Sequence, residues 1–109
     1  MKKFILVLTT VPNQKTGQQI ARALVEERLA ACVTVSPAAQ SFYWWEGRIM
    51  KEREHILIIK TKASAYGELE ARLKGLHPYD VPEFIALPIE RGSEKYLAWV
   101  DRETKSPRL

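Results

Sequence analysis

CVTVSPAAQSFYWWEGRIMKEREHILIIKT, residues 32–61, decides the fold, because it reads as one long β-hairpin. Branched residues alternate with polar ones from Cys32, Pro37 bends the path and predicts a bulge, and Gly47 in WEGR supplies the turn. The return arm runs over residues 48–61, and its ILII run at 56–59 predicts burial on both faces. Each arm has about 14 residues, roughly 45 Å at about 3.3 Å per residue. The helices that flank it in sequence are about 13 residues long, roughly 20 Å. Half the hairpin therefore overhangs its own domain. The overhanging end carries Phe42, Tyr43, Trp44 and Trp45, a large apolar area beside an open strand edge, which predicts cover by another copy of the chain. The alternative is a hairpin that curls back over its own sheet.

On the amino-terminal side, residues 4–8 (FILVL) predict a central strand, stopped by Pro12 and Asn13, which also offer a helix start. A helix over residues 14–29 follows, with Ile20, Ala21, Leu24, Val25 and Leu29 forming its apolar stripe. On the other side, Ser64 predicts the cap of a second helix carrying Tyr66, Leu69, Leu73 and Leu76. HPYDVPE at 77–83 ends that helix, residues 84–89 between Pro82 and Pro88 predict an edge strand, and Gly92 with Ser93 opens a last helix bearing Tyr96, Trp99 and Val100. The order β-α-β-β-α-β plus a terminal helix predicts an α+β fold of the ferredoxin-like, split βαβ plan.

The chain has 109 residues, 46% hydrophobic and 28% charged, which predicts one domain over 1–109 with a single core. A net charge of +4 and a pI near 9.3 raise nucleic acid as a partner, but Lys2, Lys3, Arg102, Lys105 and Arg108 gather at the ends and the remainder mixes signs. An RNA-recognition domain shares the element order and displays aromatics on its third strand, whereas HILIIKT at 55–61 has none. The arginine-bearing phosphate cradle of an acylphosphatase-like hydrolase is likewise not evident after the first strand. The expectation is no nucleic acid and no catalysis. The opening MKKFILVL resembles a signal peptide, yet its apolar run is short and lacks a cleavage pattern. No stretch reaches the roughly 20 apolar residues of a spanning helix. The chain is thus expected to be cytoplasmic with no membrane partner. Its one cysteine, Cys32, forms no internal disulfide and reads as a small buried hydrophobe.

Two uses fit HPYDVPE. His77 is a candidate ligand for copper(II) or another divalent cation, with Asp80 and Glu83 from the same loop. Equally, Pro78 and Pro82 hold a rigid connector in which His77 meets the free carbonyls of a helix end. Lys60 and Tyr79 are candidates for a ligand cleft between subunits, and Phe42, Tyr43, Trp44, Trp45 and Trp99 for a subunit interface.

Taken together, LTTVPN at 8–13, ALVEERLAACV at 23–33, FYWWEGRI at 42–49, IKT at 59–61, HPYDVPE at 77–83 and YLAW at 96–99 make the chain resemble the CutA family, named for divalent-cation tolerance. The resemblance implies a homotrimer built through extended strands and related in architecture to the PII signalling proteins, with no established reaction. It implies divalent metal ions, copper among them, as partners, and the histidine of HPY as a ligand. Copper-binding members are associated with a cysteine where this chain has Thr9, a poorer ligand for a soft metal. The rival implied function is a PII-like small-ligand sensor in which metal binding is incidental.

Overall fold

The computed structural model describes residues 3–105; the terminal cations Lys2 and Arg108 lie outside them. The described elements are β1 (Phe4–Val11), α1 (Gln14–Glu26), β2 (Cys32–Trp45), β3 (Arg48–Lys62), a 3-10 turn (Ala63–Ala65), α2 (Tyr66–Leu76), β4 (Ile85–Pro88) and α3 (Glu94–Glu103). The four strands form one sheet in the order β2-β3-β1-β4, with every neighbouring pair antiparallel. β1 and β3 are the central pair, as their apolar runs predict.

Those runs are buried on one face only. Ile5, Val7, Leu57 and Ile59 join Ile20, Leu24, Leu69 and Leu73 in the core. Leu6, Leu8, Ile56 and Ile58, which alternate with them, are only half-buried. The expectation of burial on both faces fails within one chain because α1 and α2 pack on the same side. Each fully buried leucine or isoleucine contributes about 2 kcal/mol relative to exposure, and the core contains six of them.

α1 starts where predicted: the Asn13 side chain accepts a hydrogen bond from the Thr16 amide at 2.8 Å. It stops three residues earlier than its apolar pattern. Arg28 adopts a left-handed φ of 61°, and the Leu29 and Ala30 amides turn back to the Leu24 carbonyl. Leu29 remains in the core, whereas Val25, assigned to the same stripe, is 43% exposed. Ser64 does not cap α2; it lies inside the 3-10 turn, and the capping position falls to Ala65, which offers no side-chain acceptor. Ser93 does cap α3.

The hairpin behaves as its length demands. β1 pairs with β3 only over residues 55–62, so residues 48–54 of β3 pair with β2 alone. The chain accordingly measures 44 × 26 × 24 Å. The bulge lies between Val35 and Ala38. There the Ser36 hydroxyl accepts the Ile56 amide at 2.8 Å, while Pro37 has no amide to donate. A two-residue turn closes the tip, with φ of 49° at Glu46 and 78° at Gly47.

Candidate functional site

The HPYDVPE loop leaves α2 at His77 and crosses the end of β1 before β4 begins. His77 is only 7% exposed. Its Nε2 lies 2.7 Å from the Thr10 carbonyl oxygen, and its Nδ1 lies 3.1 Å from the Tyr79 amide nitrogen. A carbonyl only accepts and an amide N–H only donates, so Nε2 carries the proton and Nδ1 accepts. The imidazole is thereby fixed in one neutral tautomer. Beyond it, the Tyr79 hydroxyl donates to Oε2 of Glu54 on β3 at 3.1 Å. Glu54 is itself 6% exposed. Burial, and then the negative charge of Glu54, push the Tyr79 phenol up to about 12. Burial and the charges of Glu52 and Glu54 also raise Tyr43.

The other histidine is held differently. His55 on β3 places Nδ1 2.8 Å from the Ser36 carbonyl oxygen at the bulge, so this nitrogen is the protonated one. Both histidines are thus oriented by backbone carbonyls, through opposite ring nitrogens.

Asp80 and Glu83 are exposed on the same loop as His77. Among the described residues, no three His, Cys, Asp or Glu side chains converge. Ligation by His77 requires one of its two hydrogen bonds to open. The loop of one chain, as folded, does not fit a closed metal centre. Thr9, at the position associated with cysteine in copper-binding members, is fully buried, and its hydroxyl has no partner among the described residues.

The cleft candidates do not meet within one chain. Tyr79 reaches β3 at Glu54, six residues from Lys60 and about 20 Å along the strand. Lys60 instead places Nζ 6.0 Å from the centre of the Tyr96 ring. Of the interface candidates, Phe42 and Trp44 are 63% and 71% exposed, and Trp45 and Tyr43 are also open. Ile49, opposite Trp44, adds to the same patch. Trp99 is half-buried, with its ring centre 5.6 Å from that of Tyr96.

Glu54 was not legible as a functional residue. In KEREH its charge reads as one of a solvated run, and its partner lies 25 residues further on. Residues 32–61 contain no signal that would have singled it out.

Comparisons with known proteins agree with this fold. Residues 5–103 match the family model described as CutA1 divalent ion tolerance protein. The divalent-cation tolerance protein CutA of Thermus thermophilus is 48% identical over 99 residues, 91% of this chain and 96% of that protein. The rice protein CutA 1, named as chloroplastic, is 46% identical over 101 residues, 93% of this chain but 57% of that one, so the chain spans little more than half of it. A solved structure described as the divalent cation tolerance protein Cut A1 from Thermus thermophilus superposes with a TM-score of 0.92 at 46% identity, covering 94% of this chain and 99% of that chain. Among the described residues no helix is long and apolar enough to cross a membrane. With a match across nearly its whole length and a sheet of the same architecture, this chain belongs to the CutA1 divalent ion tolerance protein family.

Proposed function

We propose that the chain works in divalent-cation tolerance as a cytoplasmic, non-catalytic homotrimer of ferredoxin-like subunits, arranged as in PII proteins. The observation that carries this reading is the overhanging hairpin, whose Phe42, Trp44 and Ile49 present an apolar surface to solvent on one face while Trp45 stands exposed on the other. Half-buried Leu6, Leu8, Ile56 and Ile58 on the face of the sheet opposite α1 and α2, with exposed Ile85 and Leu87 beside them on β4, extend the area that a neighbour covers. Copper(II) or another divalent cation binds at the boundaries between copies, where the exposed carboxylates of Asp80 and Glu83 supply oxygen ligands. Sedimentation equilibrium on the wild type and Trp44→Glu, beside a calorimetric copper(II) titration, tests both parts. A trimer that dissociates in the variant, with saturable copper binding by the intact assembly, supports the reading. A monomeric wild type, or an unaffected variant, counts against it.

A second reading has its own observation. Lys60 stands apart along β3 from Glu54, where the Tyr79 hydroxyl reaches that strand, so a cleft that uses both Lys60 and Tyr79 draws them from different copies. Such a cleft suits a small-ligand sensor, and binding of a small anion lost in Lys60→Ala with copper binding intact favours it.

A further inference from the structure

KERE at 51–54 alternates cation and carboxylate, and because side chains alternate across a strand, the order sorts the charges by sign onto two faces. Lys51 and Arg53 share one face of the hairpin with Phe42, Trp44 and Ile49, Lys51 standing opposite Phe42 and Arg53 opposite Gln40. Lys51 Nζ lies 5.8 Å from the centre of the Phe42 ring, in keeping with that shared face. Glu52 and Glu54 stand on the other face with Tyr43 and Trp45, opposite Ser41 and Ala39. Tyr43 senses them: burial and then the charges of Glu52 and Glu54 raise its phenol. Arg48 shares this second face but lies at the tip, about 13 Å along the strand from Glu52.

Within the hairpin, then, neither cation has a carboxylate opposite it. Elsewhere the chain pairs its charges, Arg22 with Glu26, Arg72 with Glu27 and Lys62 with Asp101 among them. Among the described residues no ion pair engages Lys51, Glu52 or Arg53. Lys51 and Arg53 are exposed and Glu52 is half-buried, so all three remain open to a neighbour. Two copies can meet over such faces in two ways. A two-fold contact joins a face to itself and brings like charges together. A head-to-tail contact lays the cationic face of one copy on the acidic face of the next, with exposed aromatic residues on both sides. Every face is then covered only when the series closes into a ring.

We infer that the hairpin overhang is a head-to-tail docking surface for a second copy of this chain, in which Lys51 and Arg53 of one copy meet Glu52 of the next. The inference rests on the reading that copies associate through the overhang, and it adds how they meet: the charge order of KERE selects a closed ring over a two-fold dimer.

Sedimentation equilibrium on the double variant Lys51→Glu with Arg53→Glu, on Glu52→Lys, and on the three changes combined tests it. Each reversal alone places like charges at every contact and is expected to weaken assembly by about tenfold or more. The combined variant restores opposite charges at every contact and is expected to return to within about threefold of the wild type. A two-fold contact gives no such recovery, because the two reversals then act at separate places. Rising salt should strengthen assembly of the two reversal variants and weaken that of the wild type, a response that a damaged fold does not give. Reversals that assemble like the wild type, or a combined variant no better than the worse reversal, overturn the inference while the trimer stands. A wild type that stays monomeric, leaving the overhang to another partner, or that forms a two-fold dimer overturns both.

Discussion

Tyr79 and Glu54 lie 25 residues apart in the chain and 3.1 Å apart in the structure, phenol to carboxylate. Among the described residues the hydroxyl is the one hydrogen-bond donor to a carboxyl group that is 94% buried, so its removal leaves that group without a partner among them. Tyr79→Phe is therefore expected to lower stability at neutral pH by about 1–3 kcal/mol, as read by urea unfolding at fixed protein concentration. The same contact has a pH signature. An unfolded tyrosine ionises near 10, and the folded phenol is pushed up to about 12. The stabilisation from holding Tyr79 neutral is complete below the unfolded value and is lost as pH rises through the folded one. Absorbance titration of the native protein should show late-ionising tyrosine, of which the Tyr79 part is missing from Tyr79→Phe while that of the raised Tyr43 remains. A variant with an unchanged alkaline profile would detach Tyr79 from Glu54.

His77→Ala removes a donor from the Thr10 carbonyl and an acceptor from the Tyr79 amide at once. A loss of about 2–3 kcal/mol is expected, more than for either bond alone. His77→Gln, whose side-chain amide nitrogen reaches the position of Nε2, should recover part of it. Equal stabilities for the two variants would mean that the Thr10 contact contributes nothing.

The hairpin, the central strand pair and the overhang were legible because they follow from periodicity and length, which are properties of consecutive residues. Pro37 announced the bulge and Gly47 the turn for the same reason. The end of α1 was not legible. Leu29 continues the apolar period, yet Arg28 leaves the helix, and Leu29 reaches the core from a left-handed turn. The loop was read as both connector and ligand; what separates the two is the partner of each ring nitrogen. Those partners, a carbonyl 67 residues away and an amide two residues on, are products of tertiary structure, and no residue type encodes them.

Thr9 carries a hydroxyl that is fully buried and without a partner among the described residues. Valine has nearly the same shape and no group to desolvate. Thr9→Val should raise stability by about 1 kcal/mol, measured as a higher urea midpoint with an unchanged slope. Destabilisation by the same amount would reveal a partner for the hydroxyl.

At the hairpin tip, Gly47 has φ of 78° and an open space where a Cβ would stand. Gly47→Ala therefore costs backbone strain alone, about 1 kcal/mol. Glu46, at φ of 49°, occupies a position that asparagine tolerates better. Glu46→Asn should recover several tenths of a kcal/mol by the same assay; a loss would show that Glu46 makes a contact of its own.

Gly17 sets two opposing effects against each other inside α1. Alanine is favoured over glycine in a helix by about 1 kcal/mol. A Cβ at this position, however, would stand 3.2 Å from Val11 Cγ2 and 3.3 Å from Val35 Cγ1, with Leu57 Cδ2 at 3.5 Å. The two valines belong to different strands, and a branched side chain has few alternative rotamers, so neither yields easily. Overpacking of this kind costs about 1–3 kcal/mol and outweighs the helical gain. Gly17→Ala is expected to be destabilising by about 1 kcal/mol. Val35→Ala removes one of the two obstructing methyl groups, and the pair should then be less destabilised than the sum of the single changes by about 0.5–1 kcal/mol. Strict additivity in that double-mutant cycle would mean that α1 and β2 do not approach as closely as Gly17 permits.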